Sequence, residues 1–259
     1  MPHYLPPKIW EMPTEGGSRF ATVNRPFSGP TFQRSLPWGT LPIQLYSMHT
    51  PNGIKISIML EELKQLQLEG AEYDAHLIDI SKGDQFSTGF CEINPNSKIP
   101  AIVDVGAGNP LPIFESGAIL VYLAERFDRF LPAGSTRSSC MSWLFWQVGS
   151  TPYLGGGFGH FYHYADEKLE YPIDRYAMEV KRLMHVLDSH LQHNEFMCGS
   201  QYSIADIAIW PWFGVLALEG MYEAAEFLQV QGYPHLRRWA RAVGARPAVV
   251  IGREVLRPS

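Results

Sequence analysis

Strand signals in this chain stop at Leu131-Pro132. Before that point, strand and helix patterns alternate. Residues 41–46 alternate as a strand, and a helix runs from Pro51 to about residue 68. Residues 75–80 read as a second strand and 87–93 as a short helix. Residues 101–104 and 112–114 are short strands, and 116–127 is another helix. The order β-α-β-α-β-β-α predicts an α/β unit whose closing hairpin makes the sheet mixed. After residue 136 only helices remain, clearest at 141–148, 174–191, 204–216 and 234–243. The expected organisation is an extended arm (1–40), an α/β domain (41–131), an all-helical domain (136–250) and a tail (251–259).

Composition bounds what such a chain can do. With 46% hydrophobic and 18% charged residues it can bury a real core. Its net charge of −5 argues against nucleic acid or an anionic membrane as the main partner, since both need basic patches. Cys91, Cys140 and Cys198 are odd in number and far apart, which fits neither a disulfide framework nor a zinc site. Reduced thiols in a cytoplasmic protein are expected. The first 20 residues lack the apolar core of a signal peptide. The longest apolar run, 207–218, is too short to span a bilayer. The arm holds seven prolines and four glycines, so it is ordered only where it lies on the body.

The stretch YSMHTPNGIKISIMLEEL (46–63) turns from strand to helix at His49-Thr50-Pro51-Asn52. Thr50 is a natural N-cap, and Pro51 fits the first helical position. A plain helix start accounts for both. The same turn also offers free N–H groups and partial positive charge, which suit an anion. A thiolate is such an anion, and Thr50 and Asn52 can both donate to it. No cysteine stands at the turn, so a ligand is one source of such a sulfur. Lowering a thiol's pKa by one unit takes about 1.4 kcal/mol, within reach of one or two hydrogen bonds to an ion.

Three further stretches carry structure or chemistry. In NPNSKIPAI (94–102), Pro100 opens a strand; a cis bond there would leave the Ile99 backbone free for a ligand. In FESGAILVYL (114–123), Ser116 can cap a second helix start, and Glu115 can hold an amine. YSIADI (202–207) is a capping box with a hydrophobic staple, read as structural. The glycine-rich YLGGGFGHFYHY (153–164) lacks the features of a phosphate loop. It is expected as a break within the helical domain, its aromatics roofing a second-substrate pocket or packing at a bend. His160 and His163 lack a third ligand, so no metal is expected. Tyr46 reads as strand core rather than as a donor to sulfur.

NSKIPAI, FESGAILVYLAE and YSIADIAIWPW, in this order and spacing, resemble the glutathione transferase superfamily over nearly all of residues 41–250. HTPNGIKISIMLEEL, GDQF, FWQVG and IDRY narrow the resemblance to the nu class and to relatives of the yeast nitrogen regulator. The resemblance implies a thioredoxin-like N-terminal domain, a helical C-terminal domain and a homodimer. It implies glutathione as the ligand that brings the sulfur, one or two molecules per site, with no metal. Nu-class enzymes lack a catalytic cysteine and place Thr and Asn near sulfur, matching Thr50 and Asn52. By position, Ile99 would bond the cysteinyl backbone, with Pro100 cis. Glu115 and Ser116 would hold the γ-glutamyl amine and carboxylate. Gln85 and Lys98 would lie near the polar ends. Arg175 would reach in from the helical domain to a carboxylate; without the family pattern it reads as a surface ion pair with Asp174 or Glu179. Gln147 and Asn24 would touch a second glutathione.

The expected activity is glutathione-dependent disulfide reduction. The same thiolate would also serve conjugation to electrophiles or peroxide reduction. A regulatory binding protein on this scaffold is the third reading. The arm lacks the Asn/Gln-rich tract of such regulators, with a single Gln and a single Asn.

Overall fold

The computed structural model describes residues 5–12, 24–106 and 108–257. Strand β1 (Ile43–Ser47) leads into helix α1 (Pro51–Gln65), followed by β2 (Tyr73–Leu77), a 3₁₀ turn (Asp84–Phe86) and α2 (Thr88–Ile93). Then come β3 (Ala101–Asp104), β4 (Leu111–Phe114) and α3 (Ser116–Phe127). The sheet order is β2-β1-β3-β4, with β1 and β2 parallel and the other pairs antiparallel. This is the expected thioredoxin-like domain with a mixed sheet.

Register decides where a site can form. Ser47 pairs with Leu77, Tyr46 with Ala101, and Ala101 with Phe114. The ends of β1, β2 and β4 and the start of β3 therefore share one edge of the sheet. Both α1 and α3 begin at that edge.

The helical domain runs through α4 (Gly134–Pro152), a π-helical segment (Tyr153–Tyr164), α5 (Glu170–Leu191) and α6 (Ile204–Ile209). A second π-helical segment (Trp210–Gly214), α7 (Val215–Ala217), α8 (Pro234–Gly244) and α9 (Pro247–Gly252) complete it. Two expectations need correction. The glycine-rich stretch is no break, because the chain winds on through it as a wide helix. Its glycines seat aromatic rings: a Cβ at Gly155 would lie 2.6 Å from the ring of Trp212. The helix expected over 204–216 is divided, since Pro211 removes an N–H donor and the wider turn accommodates the loss.

Helix α1 is buried on every side from residue 53 to 63. It lies beneath the helical domain, and α9 approaches it so closely that a Cβ at Gly252 would sit 2.7 Å from Ile58 Cα. Its polar side chains therefore need internal partners. Arg246 donates to both Glu62 carboxylate oxygens, at 2.6 and 2.9 Å. The Tyr73 hydroxyl donates to Glu61 at 2.7 Å. One apolar cluster runs from this helix deep into the helical domain. A smaller one, with Tyr46, Ile78, Phe90, Ala101 and Val103, lies apart from it. Each fully buried Leu or Ile contributes about 1.5–3 kcal/mol.

Tyr46 is wholly buried, stacks on His76 at 5.0 Å and donates to Pro37 O at 2.8 Å, a strand-core role. Part of the arm lies on the body. Thr31 N donates to Phe86 O at 2.8 Å, and Thr88 N to Phe32 O at 3.0 Å. Among the described residues no helix is long and apolar enough to cross a membrane.

Candidate active site

The α1 start provides the first donors. Thr50 is in extended conformation, and its Oγ1 accepts from Gly53 N at 3.3 Å. The hydroxyl proton stays available to a ligand. Asn52 Oδ1 accepts from Trp212 Nε1 at 2.9 Å. An indole N–H can only donate, so the amide oxygen faces Trp212 and the NH₂ faces away. Trp212 is itself held by the close seat at Gly155. The helical domain thus sets the orientation of a donor on the thioredoxin-like domain.

The α3 start provides the second group. Glu115 precedes the helix with φ 69°, in the left-handed region, and is exposed. Asn96 Nδ2 donates to Glu115 Oε1 at 3.3 Å. Ser116 is 9% exposed. Beside it, the Ile99–Pro100 peptide bond is cis, as the resemblance implies. Ile99 lies just outside the paired part of β3. Asn94 shapes the loop before it, donating to Lys98 O at 2.6 Å and accepting from Asn96 N at 2.9 Å. Lys98 itself is exposed. Gln85 is 5% exposed, and its Oε1 is buried with no hydrogen-bond partner among the described residues.

Lys55 joins this edge to the helical domain, and sequence reasoning missed it. Its Nζ donates to Ser116 Oγ at 3.2 Å and to Gln147 Oε1 at 2.9 Å. Gln147 in turn donates through Nε2 to Thr151 Oγ1. Lys55 is 2% exposed and Gln147 wholly buried, so the amide of Gln147 is committed to these two neighbours. Burial lowers the Lys55 pKa to about 7, against an opposing pull from Glu115. A signal existed: GIKISIML is apolar on all sides, so a lysine within it has to find a buried partner.

Thr50, Asn52, Ile99, Pro100, Glu115 and Ser116 thus stand in the loops and helix starts of one sheet edge, Lys98 is exposed beside Ile99, and Lys55 ties Gln147 to the edge, while Gln85 belongs to the 3₁₀ turn after β2. Two candidates sit elsewhere. Asn24 lines a cavity of about 540 Å³ with Arg25, Lys82 and Phe86, against the loop that carries Gln85. Arg175 is exposed on α5 and lines a cavity of about 410 Å³ with Tyr171, Asp174 and Met178. It has no salt bridge among the described residues, and Glu179 pairs instead with Arg182 at 2.6 Å.

A thioredoxin-like domain with a cis-proline loop and two helix starts at one edge, roofed by a helical domain, defines a glutathione transferase. Residues 41–125 match the N-terminal domain of glutathione S-transferases, and residues 170–242 match their C-terminal domain. The chain belongs to the glutathione S-transferase superfamily. Within it, the chain is 57% identical to the disulfide-bond oxidoreductase YghU of Escherichia coli strain K12, over 98% of this chain and 88% of that protein. The crystal structure of glutathione transferase YghU from Streptococcus pneumoniae, complexed with glutathione, superposes with a TM-score of 0.96. It is 46% identical and covers 99% of both chains. A glutathione transferase from Burkholderia graminis, with two glutathione molecules bound per subunit, superposes with a TM-score of 0.76. It is 44% identical, over 82% of this chain and 88% of that one.

Proposed function

We propose that this protein is a glutathione-dependent disulfide-bond oxidoreductase, with the thiolate of bound glutathione as its nucleophile. The observation that carries the reading is the donor pair at the α1 start. The Thr50 hydroxyl and the Trp212-oriented Asn52 amide stand two residues apart at a turn where the protein brings no sulfur of its own. Cys91, Cys140 and Cys198 are free thiols outside this turn. The identity to a disulfide-bond oxidoreductase and the glutathione held by a close structural relative support it.

In the first step the thiolate attacks one sulfur of a disulfide. The S–S bond breaks, and the far sulfur leaves as a thiolate that takes up a proton. A second glutathione thiolate attacks the glutathione sulfur of the mixed disulfide, forming glutathione disulfide and releasing the second thiol. Two glutathiones are oxidised for each disulfide reduced, which favours a site with room for two. Stabilising the thiolate raises its fraction but lowers its intrinsic nucleophilicity, so the donors serve best when they bring its pKa near ambient pH.

The rest of the edge holds the tripeptide. Ile99 pairs the cysteinyl backbone, and Glu115 and Ser116 take the γ-glutamyl amine and carboxylate. Gln85 and Lys98 lie at the polar ends. Arg175 takes a carboxylate, and Asn24 and Gln147 serve the second molecule, Gln147 only if its bond to Lys55 opens. Residues 41–131 act as the glutathione-binding domain and 136–250 as the roof, with an arm at 1–40 and a tail at 251–259. Exposed Phe145 on α4 favours a homodimer. A reducing cytoplasm is the fitting compartment. The test compares wild type and Thr50→Ala on 2-hydroxyethyl disulfide, a chlorodinitrobenzene-type electrophile and a hydroperoxide. The disulfide should dominate and its rate should fall in the variant. Full disulfide reductase rate in Thr50→Ala, or dominance of the electrophile, would overturn the reading.

A further inference from the structure

We propose that Lys55 is a positioning residue of the γ-glutamyl subsite: its ammonium occupies a lone pair of Ser116 Oγ and thereby turns the Ser116 hydroxyl proton toward the ligand carboxylate. The inference rests on the glutathione reading above and adds a residue that does not touch the ligand. Three observations carry it. Lys55 Nζ lies 3.2 Å from Ser116 Oγ and 2.9 Å from Gln147 Oε1, so acceptors from the two domains hold it in place. Lys55 is 2% exposed, so water does not compete for these bonds. Ser116 stands at the first turn of α3, where free N–H groups already favour an anion.

The donor logic is one-directional. An ammonium has three donors and no acceptor, so Ser116 Oγ can only accept from it. The hydroxyl proton is then free to donate elsewhere. A neutral amine has a lone pair, and Ser116 can turn its proton inward. The state of Lys55 therefore selects where Ser116 donates. Glu115 is the charged group that acts on Lys55 electrostatically, while Ser116, Gln147 and Thr151 are neutral. Burial has brought the amine close to neutral-pH titration. A carboxylate arriving beside it favours the charged form, so ligand binding at mildly alkaline pH draws a proton onto Lys55.

The probe is S-methylglutathione, which has no thiol to titrate. Calorimetry at pH 8 in phosphate and in Tris gives the protons exchanged on binding. Wild type should take up a substantial fraction of one proton, and its affinity should weaken from pH 7 to 9. In Lys55→Met the uptake should drop to the share taken by the ligand's own amine at Glu115, and affinity at pH 7 should fall about tenfold, the scale of one hydrogen bond to a charged group. The losses in Lys55→Met and Ser116→Ala should not add in the double variant, because both act through one hydroxyl. No uptake in wild type, the same uptake in Lys55→Met, or additive losses would each overturn the proposal. If Lys55→Met does not fold, Lys55→Arg takes its place: a guanidinium does not titrate near pH 8, so the uptake should drop there as well, and an unchanged uptake would overturn the proposal. Failure of wild type to bind S-methylglutathione at all would instead sink the glutathione reading itself.

Discussion

Replacing Asn52 by Asp tests the nucleophile's environment with almost no change of shape. Trp212 Nε1 donates to Asn52 Oδ1 at 2.9 Å, and a carboxylate oxygen accepts the same bond. What changes is the other end: a donating NH₂ becomes an anionic oxygen. The thiolate then loses a donor and gains a like charge at contact separation. Two unit charges about 4 Å apart in a partly buried site interact by about 4 kcal/mol. That raises the thiol pKa by about 3 units and cuts its thiolate fraction about a thousandfold below that pKa. A more basic thiolate is a better nucleophile, and a Brønsted slope of about 0.5 returns about thirtyfold. The net expectation is a fall of about thirtyfold in disulfide reduction at neutral pH, with the pH–rate curve displaced toward alkali. The assay is the initial rate on 2-hydroxyethyl disulfide from pH 6 to 10. A wild-type pH–rate curve in Asn52→Asp would refute the idea that the Asn52 amide faces sulfur.

Trp212→Phe keeps an aromatic side chain, though a smaller one, and deletes the N–H that orients Asn52, so kcat/KM should fall at least about three- to tenfold, the scale of one neutral hydrogen bond. Arg246→Ala leaves the nearly buried Glu62 carboxylate unpaired; urea unfolding should show a loss of about 3–5 kcal/mol. Asp206→Ala strips the acceptor from Met197 N, Ser203 N, Ser203 Oγ and Trp239 Nε1, and should cost at least about 3 kcal/mol by the same assay. Lys55 makes stability depend on pH. Its pKa is about 7 in the fold against 10.5 for the ordinary side chain, so between these values the unfolded chain binds the proton and the fold does not. Stability should therefore rise with pH from about 7 to 10, by up to about 5 kcal/mol from this group, and Lys55→Met should flatten that rise.

Much of this molecule was legible because its information is local. A cap residue, a proline at the first turn and a run of apolar residues mark α1 and α3 within a few positions. The strands carry their own alternation, and the order of elements restricts the sheet to few topologies. What the sequence could not show was contact at long range. Lys55 meets Ser116 and Gln147 across 61 and 92 residues, and Trp212 meets Asn52 across 160. No periodicity links such positions, and a lysine in a helix ordinarily points to water. The π-helical winding of 153–164 was hidden for a related reason: glycines that mark a break in isolation here make room for rings from elsewhere in the fold.

These long-range bonds change what the helical domain is for. A roof that only shaped a second-substrate pocket would leave the donors of the thioredoxin-like domain to their own helix starts. Here each helix start has a tether from above: Trp212 holds Asn52 at α1, and Gln147, through Lys55, reaches Ser116 at α3. A slight shift of the roof would therefore alter the sulfur donor and the carboxylate donor together, although no roof residue in these tethers reacts. Weakening both tethers at once should consequently cost more in kcat/KM than in unfolding free energy. Proportional losses in the two quantities would mean that the tethers merely hold the domains together.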